Sequence, residues 1–293
     1  MTNDSLKRGS VLVTGSTSQI GVCVLRRLLS EGESVVGAAR HPNPSLEPNG
    51  ARFSQIDLKA SAPSFPGGLS GIVHIAGISL LPAHIPALRD RGVRRLVCFG
   101  STAVYNKPQS IDAGERAMAQ RMIEAERRIA QRCDALGIEW TILRPTLVYG
   151  LGMDRNISRA ARFIRRFRAY PLATGAIGLR QPVHADDLAA AAIAALGTPA
   201  AAGKTYDVGG GETLAYREMI GRIFDALGMR RRFLPLPGLE YLVAAAGRVM
   251  REPDITGDVV RRMRQDLVCD NRPAAEDLGY RPRPFLAGGA DDL

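Results

Sequence analysis

The stretch that most constrains this chain runs from Ser10 to Gly21, SVLVTGSTSQIG, read together with the residues from there to Arg40. Val11, Leu12 and Val13 form a short apolar run of the kind shown by a strand buried on both faces. Thr14 and Gly15 break that run, and from Ile20 to Leu29 apolar residues recur at helical intervals, with Arg26 and Arg27 facing outward. The pattern predicts strand, tight glycine turn, helix. The helix N-terminus then offers free backbone N–H groups and the positive end of its dipole, and the glycines permit close approach, so a pyrophosphate is the natural occupant.

T-G-S-T-S-Q-I-G resembles the T-G-x-x-G-x-x-G fingerprint of the extended short-chain dehydrogenases, the NAD-dependent epimerase/dehydratase-like group. Ser18 stands where that fingerprint has its middle glycine. The resemblance implies that Gly15, Ser16, Thr17, Ser18, Gln19, Ile20 and Gly21 hold the pyrophosphate of a dinucleotide. A second apolar run, Ser34 to Ala39, ends at Arg40, about twenty residues past the turn, where a ribose-contacting residue sits in such folds. An acidic residue there would accept from the ribose 2′-hydroxyl; a guanidinium pairs with a 2′-phosphate. Arg40 therefore favours NADP(H), with NAD(H) left open.

The 293 residues suffice for a Rossmann-like domain with a smaller appended lobe. Lys and Arg total 39 against 29 acidic residues, a net charge of +10, and only Lys7, Lys59, Lys107 and Lys204 are lysines. That balance suits a small anionic substrate. Aromatic residues are 5% of the chain and form no stacking array, which argues against nucleic acid. Cys23, Cys98, Cys133 and Cys269 are widely separated, with neither metal-ligand nor disulfide spacing. No apolar run approaches bilayer length and the N-terminal residues lack a hydrophobic signal core, so a cytoplasmic protein without a transmembrane segment is expected.

Beyond Arg40, HPNPSLEPNG reads as a loop, and Phe53 to Leu58 as a third strand. Asp57-Leu58 resembles the family's acidic contact near the adenine; an Asp simply ending a strand is the alternative. Ser61 to Ser70 is rich in Pro and Gly and too short for the usual crossover helix. Gly71 to Gly77 is the fourth expected strand, leading through Ala76 and Gly77 into what the resemblance implies is the loop under the nicotinamide-side phosphate. His74, inside an apolar strand, is expected to be a hydrogen-bonded core residue. A helix over Pro82 to Arg91 and a strand over Arg94 to Gly100 continue the alternation of a parallel sheet.

The fifth strand delivers Ser101 in F-G-S-T-A-V-Y, resembling the family stretch whose hydroxyl contacts the substrate oxygen. The resemblance makes Ser101 the candidate catalytic residue; Tyr105 is assigned to packing. In the family a Tyr and a Lys four residues later supply the acid–base pair. No tyrosine here has a lysine at that spacing, and counting back from Gly137 and Arg144-Pro145 places Met118 and Met122 at the two positions. A thioether cannot exchange a proton near neutral pH. The same methionines also fit an apolar stripe with Ala125 and Ile129.

Ile138 to Leu143 is the sixth strand, entering R-P-T-L-V-Y-G at 144–150, which closely resembles the family's R-P-x-x-V-Y-G, with Pro145 beside the nicotinamide. Ser158 to Tyr170 carries five arginines around Phe163, Ile164 and Phe167 and reads as a basic helix beside the substrate mouth, suited to an anionic substrate or, as a lesser alternative, an acidic surface, with a solvated face as the plain alternative. Q-P-V-H-A-D-D-L at 181–188 resembles a family stretch in which Asp caps the following helix, so Asp186 or Asp187 is the expected cap. D-L-G-Y-R-P at 277–282 resembles the closing signature of extended members. Residues 1–150, with 178–210 returning, are expected to form the Rossmann domain, and 151–177 with 211–293 the substrate lobe. Phe233 to Met250 is apolar but broken by prolines, either lobe core or the lining of an apolar pocket.

The expectation is thus a doubly wound α/β protein with a small C-terminal lobe. It would be an NADP(H)-dependent enzyme acting on a phosphate-bearing sugar or related alcohol, or a non-catalytic NADP(H)-binding sensor or accessory subunit. Oligomeric state stays open; the family often pairs helices across a four-helix interface, and the helix bearing Met118 could build a homodimer in that way.

Overall fold

The computed structural model describes residues 9–46, 48–173, 176–236 and 263–293. Its centre is a seven-stranded, wholly parallel sheet. The strands β1 (Ser10–Thr14), β2 (Val35–Ala39), β3 (Arg52–Gln55), β4 (Leu69–His74), β5 (Arg95–Phe99) and β6 (Glu139–Pro145) come first in the chain. Short strands come next at Val148–Tyr149 (β7), Tyr170–Ala173 (β8), Leu179–Arg180 (β9) and Val183–His184 (β10), then β11 (Lys204–Val208), β12 (Leu214–Ala215) and β13 (Phe233–Leu236). The order across the sheet is β11-β6-β5-β4-β1-β2-β3, which reverses direction between β1 and β4. A crevice opens at the carboxyl ends of strands where such a reversal occurs, and ligands bind there.

Helices cover both faces. Among the described residues the α-helices are α1 (Gln19–Ser30), α2 (Ile85–Asp90), α3 (Ala103–Asn106), α4 (Ala113–Leu136), α5 (Ile157–Phe167), α6 (Ala185–Gly197), α7 (Tyr216–Ala226) and α8 (Arg272–Leu278). Cys23, Val24 and Leu28 of α1 pack with Leu188, Ala189 and Ala192 of α6 over Val11, Val13, Val73 and Val97. On the other face Leu88 of α2 and Ala125, Ile129 and Cys133 of α4 meet Leu12, Ile72 and Leu96. Alternate residues of the same strands feed opposite cores, as the period-two side-chain geometry of a strand dictates. A separate core joins α5 to α7 through Ile157, Ala161, Ile164, Ile220 and Phe224, with Tyr149 and Phe285 closing it.

Several boundaries differ from the sequence reading. β3 ends at Gln55 rather than Leu58, because Asp57 turns the chain by accepting from the Lys59 N–H at 2.9 Å. β4 starts two residues before Gly71 and stops at His74; Ala76 and Gly77 lie in the following loop. The basic helix α5 ends at Phe167, and Tyr170 already belongs to β8. No α-helix crosses between β3 and β4 among the described residues. Phe65, 4% exposed, packs edge-on against His84, whose Nε2–H donates to the Leu58 carbonyl at 2.9 Å, so a loop fills the place of the crossover helix.

The expected aspartate cap is corrected too. His184 caps α6, its Nδ1 accepting from the Asp186 N–H, while both aspartates sit in the first turn. Asp186 instead forms a fork with Arg27 of α1 and also meets Arg283, and Asp187 pairs with Arg283. The pair thus ties α6 to α1 and to the C-terminal segment. Most of the apolar stretch 233–250 lies outside the described residues.

Candidate functional site

Gly15 has φ +70°, a conformation open to glycine at little cost, and a Cβ there would stand 2.8 Å from the Ala76 backbone nitrogen. The turn after β1 and the loop after β4 are therefore pressed together at the reversal point of the sheet. Gly21 is equally constrained: a Cβ would lie 2.4 Å from the Gly15 carbonyl oxygen. Ser18, in the place of the fingerprint's middle glycine, is the N-cap of α1. Its hydroxyl donates to the Gly15 carbonyl at 2.7 Å and accepts from the Gly21 N–H at 3.1 Å. The substitution therefore keeps the turn closed and satisfies one of the four free donors of the helix end.

Ser16 is 1% exposed, and its hydroxyl has no hydrogen-bond partner among the described residues. A buried hydroxyl left unmatched costs free energy, and one placed beside a helix N-terminus is matched by an incoming anion oxygen. The turn thus fits the pyrophosphate of a dinucleotide. Arg40 follows β2 directly, is exposed, and makes no ion pair with any described residue, while its carbonyl accepts from the Gln55 side chain. Asp57 and Leu58 lie just past β3, on the far side of β2 from the turn.

Beneath the turn, His74 is wholly buried between strand ends, with its Nδ1 2.8 Å from Thr14 Oγ1 and its Nε2 3.4 Å from the Gly77 carbonyl. The carbonyl can only accept, so Nε2 carries the proton and Thr14 donates to Nδ1. Burial pulls the imidazole down to about 4. His74 is the hydrogen-bonded core residue the sequence suggested, and it joins β1 to β4 under the crevice.

Ser101 is half-buried past the end of β5, its hydroxyl accepting from the Ala103 N–H at 3.1 Å, and Thr102 donates to the Pro145 carbonyl at 3.1 Å. These contacts seat the loop carrying Ser101 against the end of β6. The next residues hold a group that the sequence reading missed. Arg144 donates through Nε to both oxygens of buried Glu126 on α4 and through a terminal nitrogen to the Tyr105 hydroxyl at 2.6 Å. That hydroxyl donates in turn to the Asp207 carboxylate at 3.1 Å.

Tyr105 is 50% exposed and stacks on the guanidinium, so its assignment to packing is corrected: it belongs to a polar network. Burial raises both the Tyr105 phenol and the Asp207 carboxyl above their ordinary values, with Arg144 opposing in each case. A signal for Glu126 was available, since it follows Met118 and Met122 at successive intervals of four and so shares their helix face. A Cβ on Gly100 would sit 2.5 Å from the Glu126 carboxylate, so that face looks toward the strand end that delivers Ser101. Met122 is half-buried against the α2–α4 core and Met118 is also half-buried.

The fold is that of a doubly wound α/β protein with a parallel Rossmann-type sheet. Residues 84–209 match the model of the NAD dependent epimerase/dehydratase family, in agreement with the resemblance seen in the motifs. The chain is 24% identical to a UDP-glucose 4-epimerase of Vibrio cholerae over 98% of this chain and 95% of that one. It is 31% identical to NADH dehydrogenase [ubiquinone] 1 alpha subcomplex subunit 9, mitochondrial, of Mus musculus over 68% of this chain and 51% of that one. In fold it is similar to the crystal structure of a UDP-glucose 4-epimerase of Thermus thermophilus in complex with NAD, with a TM-score of 0.71, 20% identity and 97% of each chain covered.

Proposed function

We propose that this chain is an NADP(H)-binding oxidoreductase of the epimerase/dehydratase type that acts on a phosphate-bearing sugar or related alcohol. The observation that carries the reading is the glycine turn with its buried, unmatched Ser16 hydroxyl, placed at the reversal point of the sheet. The turn from Gly15 to Gly21 would hold the pyrophosphate, and Arg40, without an ion pair among the described residues, the 2′-phosphate, although the Thermus thermophilus structure is a complex with NAD. Bound there, the nicotinamide would supply hydride exchange. Ala76, Gly77 and Pro145 would flank it, Asp57 and Leu58 would lie toward the adenine, and the Ser101 hydroxyl would orient the substrate oxygen.

Met118 and Met122 stand where the family's Tyr and Lys are expected, so neither can hold or move a proton. Turnover would then draw its proton from a substrate group or an ordered water and should be slow. We also take the protein to be cytoplasmic. A second reading, a non-catalytic NADP(H)-binding sensor or accessory subunit, is favoured by these methionines and by the similarity to a subunit of NADH dehydrogenase.

The test is calorimetric titration of cofactor-stripped protein with NADPH and NADH, on the wild type and Arg40→Ala. Tight NADPH binding that falls toward the NADH value in the variant is the expected result. Binding of neither cofactor would overturn both readings. Turnover of NADPH with sugar nucleotides at ordinary enzyme rates would overturn the second, and co-purification of a stoichiometric partner with no turnover would overturn the first.

A further inference from the structure

Between Asp154 and Asp186 the chain contains no acidic residue, while seven arginines fall in the same interval. Five of them belong to α5 or the residue that ends it. Ile157, Ala160, Ala161 and Ile164 turn inward to the α5–α7 core, and Arg159, Arg162, Arg165, Arg166 and Arg168 are all exposed. None of these five pairs with a described carboxylate. Several other surface arginines are neutralised locally, Arg127 and Arg128 by Glu124, Arg222 by Glu212 and Glu218, Arg231 by Glu218 and Asp225, and α5 differs in gathering five on one helix with no described carboxylate beside them.

The other exposed side chains of the helix are aromatic. Phe163 is 37% and Phe167 60% exposed, one helical turn apart with ring centroids 4.6 Å from each other. Phe163 also meets the Tyr170 ring edge-on at 5.8 Å, and the Arg166 guanidinium lies 5.9 Å over the Phe167 ring. β13 pairs with β8 beside them, setting Leu234, 50% exposed, opposite Pro171. Like charges crowded on one helix repel one another, and exposed apolar rings are costly to leave in water; here the two share one helix.

We propose that the outer face of α5 docks on an anionic phospholipid surface, with its arginines on lipid phosphates and Phe163 and Phe167 entering the boundary between headgroups and acyl chains. A bilayer supplies both requirements within a few ångströms, phosphates in the plane and an apolar layer below them. Arginine stems reach upward to the phosphates while the rings sit deeper. The exposed positions of α5 are arginine and phenylalanine alone, a composition that a nucleic-acid strand could also meet, so retention on heparin is measured beside vesicle binding.

The experiment is co-sedimentation of the full-length protein with vesicles of phosphatidylcholine, with and without phosphatidylglycerol, alongside retention on immobilised heparin. Binding to the anionic vesicles, weakened by salt and absent from neutral ones, is expected. Arg162→Gln with Arg166→Gln should lower the affinity roughly thirtyfold. Phe163→Ser with Phe167→Ser should lower it roughly tenfold at unchanged net charge. The same loss of charge on α4, Arg127→Gln with Arg128→Gln, should leave it unaltered. Thermal melting checks that each variant is folded. Equal loss in the α4 variant would reduce the effect to net charge and overturn the proposal, as would undiminished binding of the phenylalanine variant. Heparin retention without vesicle binding would overturn it in favour of an acidic protein or nucleic acid.

Discussion

The Ser18 hydroxyl bridges Gly15 and Gly21, donating to the carbonyl of the first and accepting from the N–H of the second. The position that is glycine in the fingerprint this turn resembles is here a helix cap. Ser18→Ala should cost about 1 kcal/mol of stability and Ser18→Gly only a few tenths, read as midpoint shifts in urea unfolding. Equal losses for the two variants would show that the hydroxyl contributes no cap.

At Gly21 the constraint is close approach. A methyl group there meets backbone on the Gly15 side of the turn, which cannot rotate away as a side chain would. Gly21→Ala should lower stability by roughly 1–3 kcal/mol and weaken cofactor binding in the same calorimetric titration. Wild-type affinity in a destabilised variant would separate the turn's packing from its proposed ligand.

His74 gives the protein an acid-sensitive joint. Its folded-state value of about 4 lies below the ordinary 6.5, so the unfolded chain takes up the proton first as pH falls. Stability should therefore decline from about pH 6.5 down to about 4, by roughly 3 kcal/mol in total, and the decline from this group should end there. Asp186, held to about 2 by its hydrogen bond from Arg27, acts in a lower window, its stabilisation being lost between about 4 and 2. Urea unfolding across pH with His74→Gln should show the upper decline removed and the lower one kept.

Restoring the acid–base pair tests the proposed site directly. Met118→Tyr with Met122→Lys should raise turnover of NADPH with a sugar-nucleotide substrate roughly a hundredfold if the helix frame is right. Stopped-flow or steady-state absorbance at the nicotinamide band measures it. Absence of any gain in a folded, cofactor-binding double variant would remove Met118 and Met122 from the site.

Glu126 and Arg144 form the most enclosed ion pair near Ser101 among the described residues, with the carboxylate side chain 7% exposed. Glu126→Ala would leave the guanidinium half-buried without its partner, and a loss of roughly 3 kcal/mol is expected in thermal or urea unfolding. Glu126→Gln keeps a hydrogen-bond acceptor and should lose less.

Much of the fold was legible because its signals are local. The apolar run at 11–13, the glycine break and the helical spacing after it require only neighbouring residues, and β1 and α1 form where that pattern sets them. β6 likewise forms before the R-P-T-L-V-Y-G stretch, running on to Pro145, two residues past the expected Leu143. Boundaries that depend on a distant partner were less legible. β3 stops at Gln55 because Asp57 turns the chain, and the loop after it is held by Phe65 and His84, contacts no window of sequence contains.

The sequence by itself determined the alternation of strand and helix, the glycine turn and the absence of a Tyr–Lys pair, since each is a property of residue types at short spacing. Only the tertiary structure decided that His184 rather than an aspartate caps α6, because Asp186 and Asp187 are drawn away by Arg27 and Arg283. It alone decided that Tyr105 joins Arg144, Glu126 and Asp207, which come from four separate elements. The physical reason is the same in both cases. A charged side chain takes the strongest partner within reach, and which partners are within reach is settled by how the strands are ordered across the sheet.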